Sequence, residues 1–394
     1  MRILFLTDNF PPEVNAPATR TYEHCKEWVK AGMKVTIITC APNFPEGKIY
    51  AGYKNKLIQK ETIDGIKVIR VWTYVTANEG QVKRILDYLS FMVASFLVGL
   101  FVKTDVIIGT SPQFFTAISA RWLSFWKRKP WIMEVRDLWP ESIVSVGASK
   151  RNLIIRFFEY LEKRMYRTAS KIVVVTDSFR KTIIEKHHID EAKIEVVKNG
   201  ANLDLFQPSP KDTELISSLG LQNKFIIGYI GTHGMAHALD FVLRSAKNIQ
   251  NPSIHFLLIG SGAMKKDLIQ LKNKLGLTNV TMLDAIGKAD VKRYTSILDA
   301  GLVNLKKSDT FKSVIPSKIF ELAAMNKPIL HGVEGESAKI IEEYQIGLTF
   351  IPEDERDFFR KIEQIKDMQF NYDKILLDFN RKELAKKLLN FIQQ

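Results

Sequence analysis

The sequence predicts an α/β protein built from two doubly wound domains. Short β-branched runs alternate with helical stretches, which is the pattern of parallel sheets covered by helices. The series of strands starts with Arg2–Thr7 and begins again at Phe225–Gly231, after a linker near residues 206–212 that contains prolines and serines. Folds of this kind bind ligands at the carboxyl ends of their strands, so we expect the ligand site in a cleft between the two domains.

The predicted strands divide between the two series, with a helix over Thr19–Ala31 after the first strand. The loop before that helix lacks the G-x-G-x-x-G fingerprint, so an NAD site is not supported. We expect an N-terminal domain at 1–205, a C-terminal domain at 206–370, and a final helix at 371–394 that packs back on the N-terminal domain. The predicted strands are Arg2–Thr7, Lys34–Thr39, Ile66–Trp72, Val106–Gly109, Trp131–Val135, Lys171–Thr176, Phe225–Gly231, His255–Gly260, Val280–Leu283, Ala300–Asn304 and Pro328–Leu330.

Composition and charge restrict the class of protein. The chain has 394 residues, 46% of them hydrophobic, and two cysteines, so a disulfide framework is excluded and a reducing cytosol is expected. The first predicted strand begins at Arg2, so we expect no signal peptide. Residues 1–205 carry 31 Lys and Arg against 21 Asp and Glu, which gives +10 of the net +14. This excess predicts an anionic surface or partner for the first domain, whereas no basic helix or RNP-like motif indicates nucleic acid.

One segment of the second domain has the features of a phosphate site. A polar, proline-containing loop from Ser313 leads into a helix from about Ser317 to Met325. A helix start with a capping serine presents free backbone N–H groups, and Lys318 would add a positive charge. Glu321, one turn further on, could accept hydrogen bonds from a ribose diol. The alternative is an ordinary helix with a capping serine and a surface glutamate.

Three segments of the first domain have the composition of a membrane surface. Residues 88–102 contain no charge, but a spanning helix needs about 20 residues. A buried helix and a helix partly immersed at the membrane surface are the two alternatives. Residues 121–131 mix tryptophans with basic residues, and residues 150–167 have apolar residues at helical spacing with basic residues on other faces. The predicted membrane contacts are Phe91, Phe96, Trp122, Trp126, Lys127 and Arg128.

Six phrases, in this order, resemble the family 4 glycosyltransferases, whose two-domain fold is called GT-B. The resemblance covers nearly the whole chain. Parts of two of these phrases, at 15–20 and 136–140, and a further segment at 231–240 indicate a bacterial subgroup that adds sugars, often N-acetylated deoxyhexoses such as N-acetyl-L-fucosamine, during O-antigen or capsule assembly. The six phrases are Phe10-Pro-Pro-Glu-Val-Asn-Ala-Pro-Ala-Thr-Arg20, Val135-Arg-Asp-Leu-Trp-Pro-Glu-Ser142, Val174-Val-Thr-Asp-Ser178, Val197-Lys-Asn-Gly-Ala-Asn-Leu-Asp-Leu-Phe206, Ile259-Gly-Ser-Gly262 and Pro316-Ser-Lys-Ile-Phe-Glu-Leu-Ala-Ala324.

The resemblance implies that the second domain holds a sugar nucleotide. Glu321 corresponds to the second glutamate of the E-x7-E pattern, whereas Ser313 stands in the place of the first. Where relatives carry an Arg and a Lys for the diphosphate, this chain has Thr232, His233 and His237, which could instead be ordinary turn residues. Two glycines after a strand would offer backbone N–H groups. The implied donor-binding residues are Asn15, Ala16, His233, His237, Gly260, Gly262, Ser313, Ile315, Pro316, Ser317, Lys318 and Glu321.

Asn15 and Ala16 stand where many relatives have a glycine pair. We expect Ala16 to keep the space beside the donor phosphate small, and Asn15 to tolerate the left-handed backbone conformation.

The resemblance also implies a retaining, metal-independent transfer without a cofactor. Arg136, Asp137 and Glu321 are the candidate catalytic residues. Asp137 would orient or deprotonate the acceptor hydroxyl, although it could instead cap a helix. We expect transfer from a UDP-sugar to a polyprenyl-diphosphate-linked saccharide at the cytoplasmic face of the bacterial inner membrane, by a peripheral protein. A GT-B epimerase of a soluble UDP-sugar and a non-catalytic, membrane-bound nucleotide-binding module are the alternatives.

Overall fold

A computed structural model describes residues 1–44, 46–76, 81–111, 114–139 and 153–394. The chain forms two units, the first from Met1–Lys198 with Arg381–Gln394 and the second from Asn199–Asn380. The first boundary precedes the expected position 205, because the chain after Lys198 hydrogen-bonds within the second unit. The backbone N–H of Ala201 donates to the carbonyl oxygen of Phe379 at 3.0 Å. The predicted architecture of two doubly wound domains is confirmed.

The first unit contains an eight-stranded sheet in the order β3-β4-β2-β1-β5-β6-β7-β8. All neighbouring strands are parallel except β3, which pairs antiparallel with β4 through a turn at Asp64 and Gly65. The sequence analysis missed β3 and the short strand β8. The strands are β1 (Arg2–Leu6), β2 (Lys34–Cys40), β3 (Ile58–Ile63), β4 (Ile66–Val71), β5 (Val106–Ser111), β6 (Trp131–Val135), β7 (Lys171–Val174) and β8 (Ile194–Val196).

Helices cover both faces of this sheet and bury an apolar core on each. One core lies under α2 and α3, and the other lies under α1 and the C-terminal helix α14, which is Arg381–Gln393. The indole N–H of Trp28 on α1 donates to the carbonyl oxygen of Ala385 on α14 at 2.9 Å, so the end of the chain completes the first unit. The other helices are α1 (Ala16–Lys30), α2 (Gln81–Gly99), α3 (Phe114–Lys127), α4 (Leu153–Thr168) and α5 (Asp177–His187).

The second unit contains a parallel sheet of six strands in the order β11-β10-β9-β12-β13-β14. Its strands are β9 (Phe225–Ile230), β10 (Ile254–Ile259), β11 (Val280–Leu283), β12 (Ala300–Asn304), β13 (Ile329–Gly332) and β14 (Gly347–Thr349), of which the sequence analysis missed β14. Its helices are α6 (Thr213–Ser218), α7 (Leu239–Asn248), α8 (Lys265–Leu275), α9 (Lys288–Ser296), α10 (Lys318–Ala324), α11 (Glu336–Tyr344), α12 (Glu355–Ile365) and α13 (Asp373–Asp378). Because β9 and β12 are central, the loops that follow them meet at the carboxyl edge of the sheet.

Candidate functional site

The loops that follow β9 and β10 are joined by backbone hydrogen bonds. The N–H of Gly231 donates to the carbonyl of Ile259 at 2.8 Å, and the N–H of His233 donates to the carbonyl of Ser261 at 2.8 Å. The N–H of Met264 donates to the carbonyl of His233 at 2.9 Å. The loop that carries His233 is therefore fixed against the neighbouring strand connection.

The sequence analysis assigned Gly260 and Gly262 to ligand binding, and the structure gives them a packing role. A Cβ at Gly260 would lie 1.8 Å from the carbonyl oxygen of Gly231, and one at Gly262 would lie 2.6 Å from that of His233. Both glycines also have φ of +152°. The N–H of Gly260 donates to the carbonyl of Leu283 at 3.2 Å, so the prediction that this group is offered to a ligand is wrong.

The carboxyl edge of the second sheet carries four basic side chains, His233, His237, Lys265 and Lys318, which we call the lysine–histidine cluster. The Lys318 ammonium lies 3.6 Å from the ring centroid of the buried Tyr229, as a cation–π contact. Burial lowers the pKa of Lys318 to about 7, although the charge of Glu321 acts in the opposite direction. A lysine with this pKa binds an anion more tightly when it is protonated.

The two histidines of the cluster are neutral. His233 is 0% exposed, and neither ring nitrogen makes a hydrogen bond of good geometry to a described residue. Burial, with the charges of Lys265 and Lys318, lowers the pKa of His233 to about 4. Burial and the charge of Lys318 lower the pKa of His237 to about 3. His233 is therefore a buried, neutral residue of the turn after β9, with the backbone of Ile259 beside its ring.

Lys265, at the start of α8, adds a second cation beside His233. Its ammonium donates to the carbonyl of Leu283 and lies 3.6 Å from the exposed carboxylate of Asp284. Lys265 and Lys318 begin α8 and α10, which both follow the segment that carries His233 and His237. Lys318 reaches its position across Gly231, where an added Cβ would lie 2.5 Å from the Lys318 ammonium.

The segment at 313–321 forms the helix that the sequence predicts, but with a different start. Ser317 has helical φ and ψ of −61° and −23°, and its side chain makes no capping hydrogen bond, so the predicted serine cap is wrong. The hydroxyl of Ser313 donates to the carbonyl of Thr310 at 3.3 Å. Ile315 is buried in the core, whereas Pro316 and Glu321 are half-buried. Glu321 lies one turn from Lys318 on the same helix.

In the first unit, the polar residues of the phrase at 10–20 have internal partners. The Asn15 side chain caps α1 by accepting from the N–H of Ala18 at 2.9 Å and donates to Asn9 Oδ1 at 2.6 Å. Its φ of −71° is extended, so the expected left-handed conformation is wrong. Ala16 is the first residue of α1. The side-chain amide of Asn15 therefore caps the first turn of α1.

Arg20, from the phrase at 10–20, forms a buried ion pair and a hydrogen bond to the start of the phrase at 197–206. Arg20 donates from Nε to Glu134 Oε1 at 3.0 Å, and its Nη2 donates to the carbonyl of Val197 at 2.8 Å. Burial opposes ionisation of Glu134, but the charges of Arg20 and Arg136 hold the pKa of that carboxyl below its usual value. Because Glu134 is in β6, this pair fixes the strand that ends just before Arg136.

Arg136 and Asp137 follow β6 at the carboxyl edge of the first sheet, as the sequence predicts. Both are half-buried, and Nη1 of Arg136 is buried without a hydrogen-bond partner among the described residues. Burial lowers the pKa of Arg136 to about 10, so the guanidinium stays charged at neutral pH. The backbone carbonyl of Asp137 accepts from the hydroxyl of Ser111 at 3.4 Å. The residues 140–152, including the end of the phrase at 135–142, lie outside the described part of the chain.

The same edge carries carboxyl groups that the sequence analysis missed. Asp8 follows β1 directly, and burial raises its pKa to about 6. Burial and the charge of Asp8 raise the pKa of Asp87 on α2 to about 7. Burial raises the pKa of Glu13 to about 7 even though it accepts from the N–H groups of Asn43 and Phe44. The position of Asp8 at the end of the central strand was the available sequence signal, whereas Asp87 gave none.

The predicted membrane contacts are mostly at the surface. Trp126 is 69% exposed, and Trp122 and Arg128 are also exposed. Phe96 is half-buried with its ring edge-to-face with Trp122, and Lys127 is half-buried. Phe91 is 1% exposed, so its prediction as a membrane contact is wrong.

Helical periodicity explains the difference. Phe91, Met92 and Ser95 on α2 face the core. Val93 and Leu97 are exposed on another face of this helix, and Phe101 continues their four-residue spacing in the turn after it. We call the exposed apolar side chains in the C-terminal half of α2, on α3 and in that turn the apolar surface. They are Val93, Leu97, Phe101, Trp122, Phe125 and Trp126. Within the described residues, no helix is long and apolar enough to cross a bilayer.

Solved glycosyltransferases match the whole chain. Sucrose-phosphate synthase of Thermosynechococcus elongatus superposes with a TM-score of 0.76 at 14% identity, covering 100% of this chain and 98% of that one. HepE of Anabaena, solved in complex with UDP-glucose, superposes with a TM-score of 0.72 at 16% identity, covering 100% and 99%. The two doubly wound sheets therefore define a GT-B fold, the architecture of a large class of glycosyltransferases.

Two family models account for most of the chain. The glycosyl transferase 4-like domain matches residues 15–200, and the glycosyl transferases group 1 domain matches residues 211–383. WcaI of Escherichia coli strain K12, a protein named for a role as glycosyl transferase in colanic acid biosynthesis, is 25% identical over 335 residues, covering 82% of this chain and 81% of WcaI. The chain belongs to the family 4 glycosyltransferases of the GT-B fold, and it is a transferase enzyme.

Substitution of Gly260 tests the packing between the loops after β9 and β10. We expect Gly260→Ala to destabilise the protein by about 2–5 kcal/mol, because overpacking and backbone strain each cost about 1–3 kcal/mol. Gly276→Ala is the matched control, since Gly276 also has positive φ but an added Cβ there meets no atom within 4 Å. Its expected cost is about 1 kcal/mol. Urea unfolding measures both, and equal losses would contradict the packing role.

Proposed function

We propose that the protein transfers a sugar, with an N-acetylamino sugar such as N-acetyl-L-fucosamine as the first candidate, from UDP to a polyprenyl-diphosphate-linked saccharide. The observation that carries the donor part is the Lys318 ammonium, buried against Tyr229 in a cluster with a second lysine and two neutral histidines. Desolvation of this cation costs free energy, which an anionic ligand would offset. The nucleotide diphosphate of the donor is that anion.

The donor lies at the carboxyl edge of the second sheet. The ammonium groups of Lys265 and Lys318 neutralise the diphosphate, whereas the neutral His233 is fully buried and does not touch the ligand. Glu321 accepts from the ribose hydroxyls. The complexes of HepE with UDP and with UDP-glucose support UDP as the nucleotide, because HepE shares this fold.

The chemical step breaks the bond between the anomeric carbon and the diphosphate. The leaving diphosphate gains negative charge, so fixed cations and N–H donors stabilise the transition state. We propose a metal-independent reaction that retains the anomeric configuration. Its support is the cluster itself, which supplies the positive charge that the leaving diphosphate requires.

The acceptor lies at the carboxyl edge of the first sheet. Asp137 orients the acceptor hydroxyl there, and Asp8, with a pKa near neutrality, accepts its proton. Nη1 of Arg136, which has no hydrogen-bond partner within the described part of the chain, binds an oxygen of the acceptor diphosphate. These roles agree with the position of all three residues directly after β1 or β6.

The acceptor is lipid-linked, and the protein works at the cytoplasmic face of the bacterial inner membrane as a peripheral protein. Two observations support this proposal, the apolar surface and the +10 charge of residues 1–205. The name of WcaI, which refers to colanic acid biosynthesis, supports a role in surface polysaccharide synthesis such as O-antigen or capsule.

Release of UDP tests the overall reaction. We expect the purified protein to release UDP from a UDP-linked N-acetylamino sugar only when the lipid fraction of bacterial membranes is added. A lipid-linked product of increased mass should appear in the same sample. Release that ignores the lipid fraction, or conversion of the UDP-sugar into an isomer, would instead favour hydrolysis or epimerisation and would exclude this proposal.

The pKa of Lys318 predicts the pH dependence of UDP binding. Below about pH 7 the free lysine is already charged, and a bound diphosphate raises its pKa further. UDP affinity should therefore fall as pH rises from about 7 to about 9, by up to about tenfold per unit, with net proton uptake on binding. Calorimetry in buffers of different ionisation enthalpy measures this uptake.

Lys318→Met provides the decisive comparison. We expect it to bind UDP about 10–100-fold more weakly, because a hydrogen bond to a charged group contributes about 1.5–3 kcal/mol. Its proton uptake above neutral pH should disappear. Lys339→Met, at an exposed position on α11, should behave as the wild type. Unchanged proton uptake in Lys318→Met would refute the assignment.

A missing ribose hydroxyl tests Glu321. The wild type should bind UDP about 10–100-fold more tightly than 2′-deoxy-UDP, since a charged hydrogen bond is lost. Glu321→Ala should bind both nucleotides with equal, weaker affinity, while Glu342→Ala at an exposed position on α11 keeps the preference. A Glu321→Ala protein that still prefers UDP would show that the ribose is held elsewhere.

A further inference from the structure

A second basic site lies in the first unit, at the amino ends of its strands. A cavity of about 390 Å³ is lined by Arg2, Lys103, Lys127 and Lys129, together with Leu100, Thr104 and Trp126. Its volume lies within the range of about 300–1,000 Å³ that is usual for small-molecule sites. We call it the amino-edge pocket.

The amino-edge pocket is separate from the candidate active site. Arg2 begins β1, Lys103 and Thr104 precede β5, and Lys129 precedes β6, whereas Asp8 and Arg136 follow the other ends of β1 and β6. A strand of five residues spans roughly 17 Å at about 3.3 Å per residue. A ligand in the pocket therefore does not touch the residues that we assign to acceptor binding.

The pocket has an excess of positive charge. Arg2 is neutralised by Asp105, with 2.6 Å between Nη2 and Oδ1. The Lys127 ammonium donates to the carbonyl of Leu100 at 2.8 Å, which leaves two of its three N–H donors. Lys103 and Lys129 are exposed, and the carboxylate of Asp105, which is paired with Arg2, also interacts with Lys129. Asp105 therefore balances only one of the four basic side chains that line the pocket, and burial and the charge of Lys129 lower the pKa of Lys127.

The rim of the pocket is apolar and continuous with the apolar surface. Trp126 lines the pocket and packs edge-to-face with Phe125, with ring centroids 6.2 Å apart. Phe125 is 78% exposed, and Phe101, which follows the pocket residue Leu100, is 89% exposed. A soluble anion would gain nothing from these rings. A lipid would place its phosphate among the lysines and its acyl chains against the aromatic side chains.

We propose that the amino-edge pocket binds the phosphate headgroup of an anionic membrane lipid and so fixes how the first unit sits on the bilayer. The inference deepens the proposed membrane attachment and rests on it. The headgroup phosphate accepts hydrogen bonds from Lys103, Lys127 and Lys129, while Trp126 lies at the level of the headgroups. The lipid is a docking ligand and is not consumed in the reaction.

Vesicle binding tests the pocket. Co-sedimentation would compare vesicles of phosphatidylglycerol mixed with phosphatidylcholine against phosphatidylcholine alone. Each basic residue near an anionic surface contributes about 1 kcal/mol, which is about fivefold in affinity, so the double variant Lys103→Gln/Lys129→Gln should bind the anionic vesicles about 25-fold more weakly. The matched control, Lys60→Gln/Lys67→Gln, removes the same charge from exposed positions on β3 and β4 and should change affinity less than twofold.

A soluble headgroup separates the two sources of phosphate. We expect glycerol 3-phosphate to compete only weakly with vesicles, and Trp126→Ala to lose vesicle binding while the pocket lysines remain. If both double variants bound the anionic vesicles equally weakly, the loss would be explained by net charge alone, and the proposed lipid site in the amino-edge pocket would be refuted. Tight glycerol 3-phosphate binding that is unchanged in Trp126→Ala would assign the pocket to a soluble anion and also overturn the inference.

The controls distinguish this inference from the proposed function. A wild-type protein that binds no anionic vesicle would refute the pocket and the membrane attachment together. Vesicle binding that is unaffected in Lys103→Gln/Lys129→Gln would refute the pocket alone. UDP affinity, measured on the same preparations, should be unchanged in the pocket variants, because the lysine–histidine cluster belongs to the second unit. A thermal melt equal to that of the wild type would exclude unfolding as the cause.

Discussion

The second unit depends on the direct contact between the backbone loops that follow β9 and β10. Three hydrogen bonds join them, and Gly260 and Gly262 permit an approach that a Cβ would block. This contact encloses His233, so its ring loses water without gaining a partner among the described residues. Because Gly231 has no Cβ, the Lys318 side chain can pack directly against the backbone there. The low pKa values of His233 and Lys318 thus share one origin, which is close packing at the end of two adjacent parallel strands.

Much of the fold could be predicted from the sequence because fully buried parallel strands are short apolar runs. Trp131–Val135, Val280–Leu283 and Ala300–Asn304 have the predicted bounds. The strand at Ile58–Ile63 was missed, since its residues alternate between exposed and half-buried positions at the edge of the sheet and resemble a polar loop. The Asp64-Gly65 pair was the available hairpin signal.

The candidate site was predictable only in part, because its chemistry comes from contacts between distant segments. Lys318 and His233 were identified from phrases near the strand ends, but Tyr229 and Lys265 could not be, since their positions depend on the strand order β10-β9-β12-β13. Conversely, Asn15 and Gly260 carry a recognisable pattern and serve the fold, one as a helix cap and the other as a packing site. A motif therefore marks a place in the fold more reliably than it marks a ligand contact.

The first unit separates two kinds of charge along its strands. The carboxyl edge holds Asp8 and Asp87, whose pKa values are raised by burial. It also holds Nη1 of Arg136, which has no hydrogen-bond partner among the described residues. The amino edge holds the lysines of the amino-edge pocket next to Phe125. In the roles proposed above, the acid–base groups titrate near neutral pH, whereas the lysines at an anionic surface stay charged. The parallel sheet holds the two groups at opposite ends of the same strands, roughly 17 Å apart.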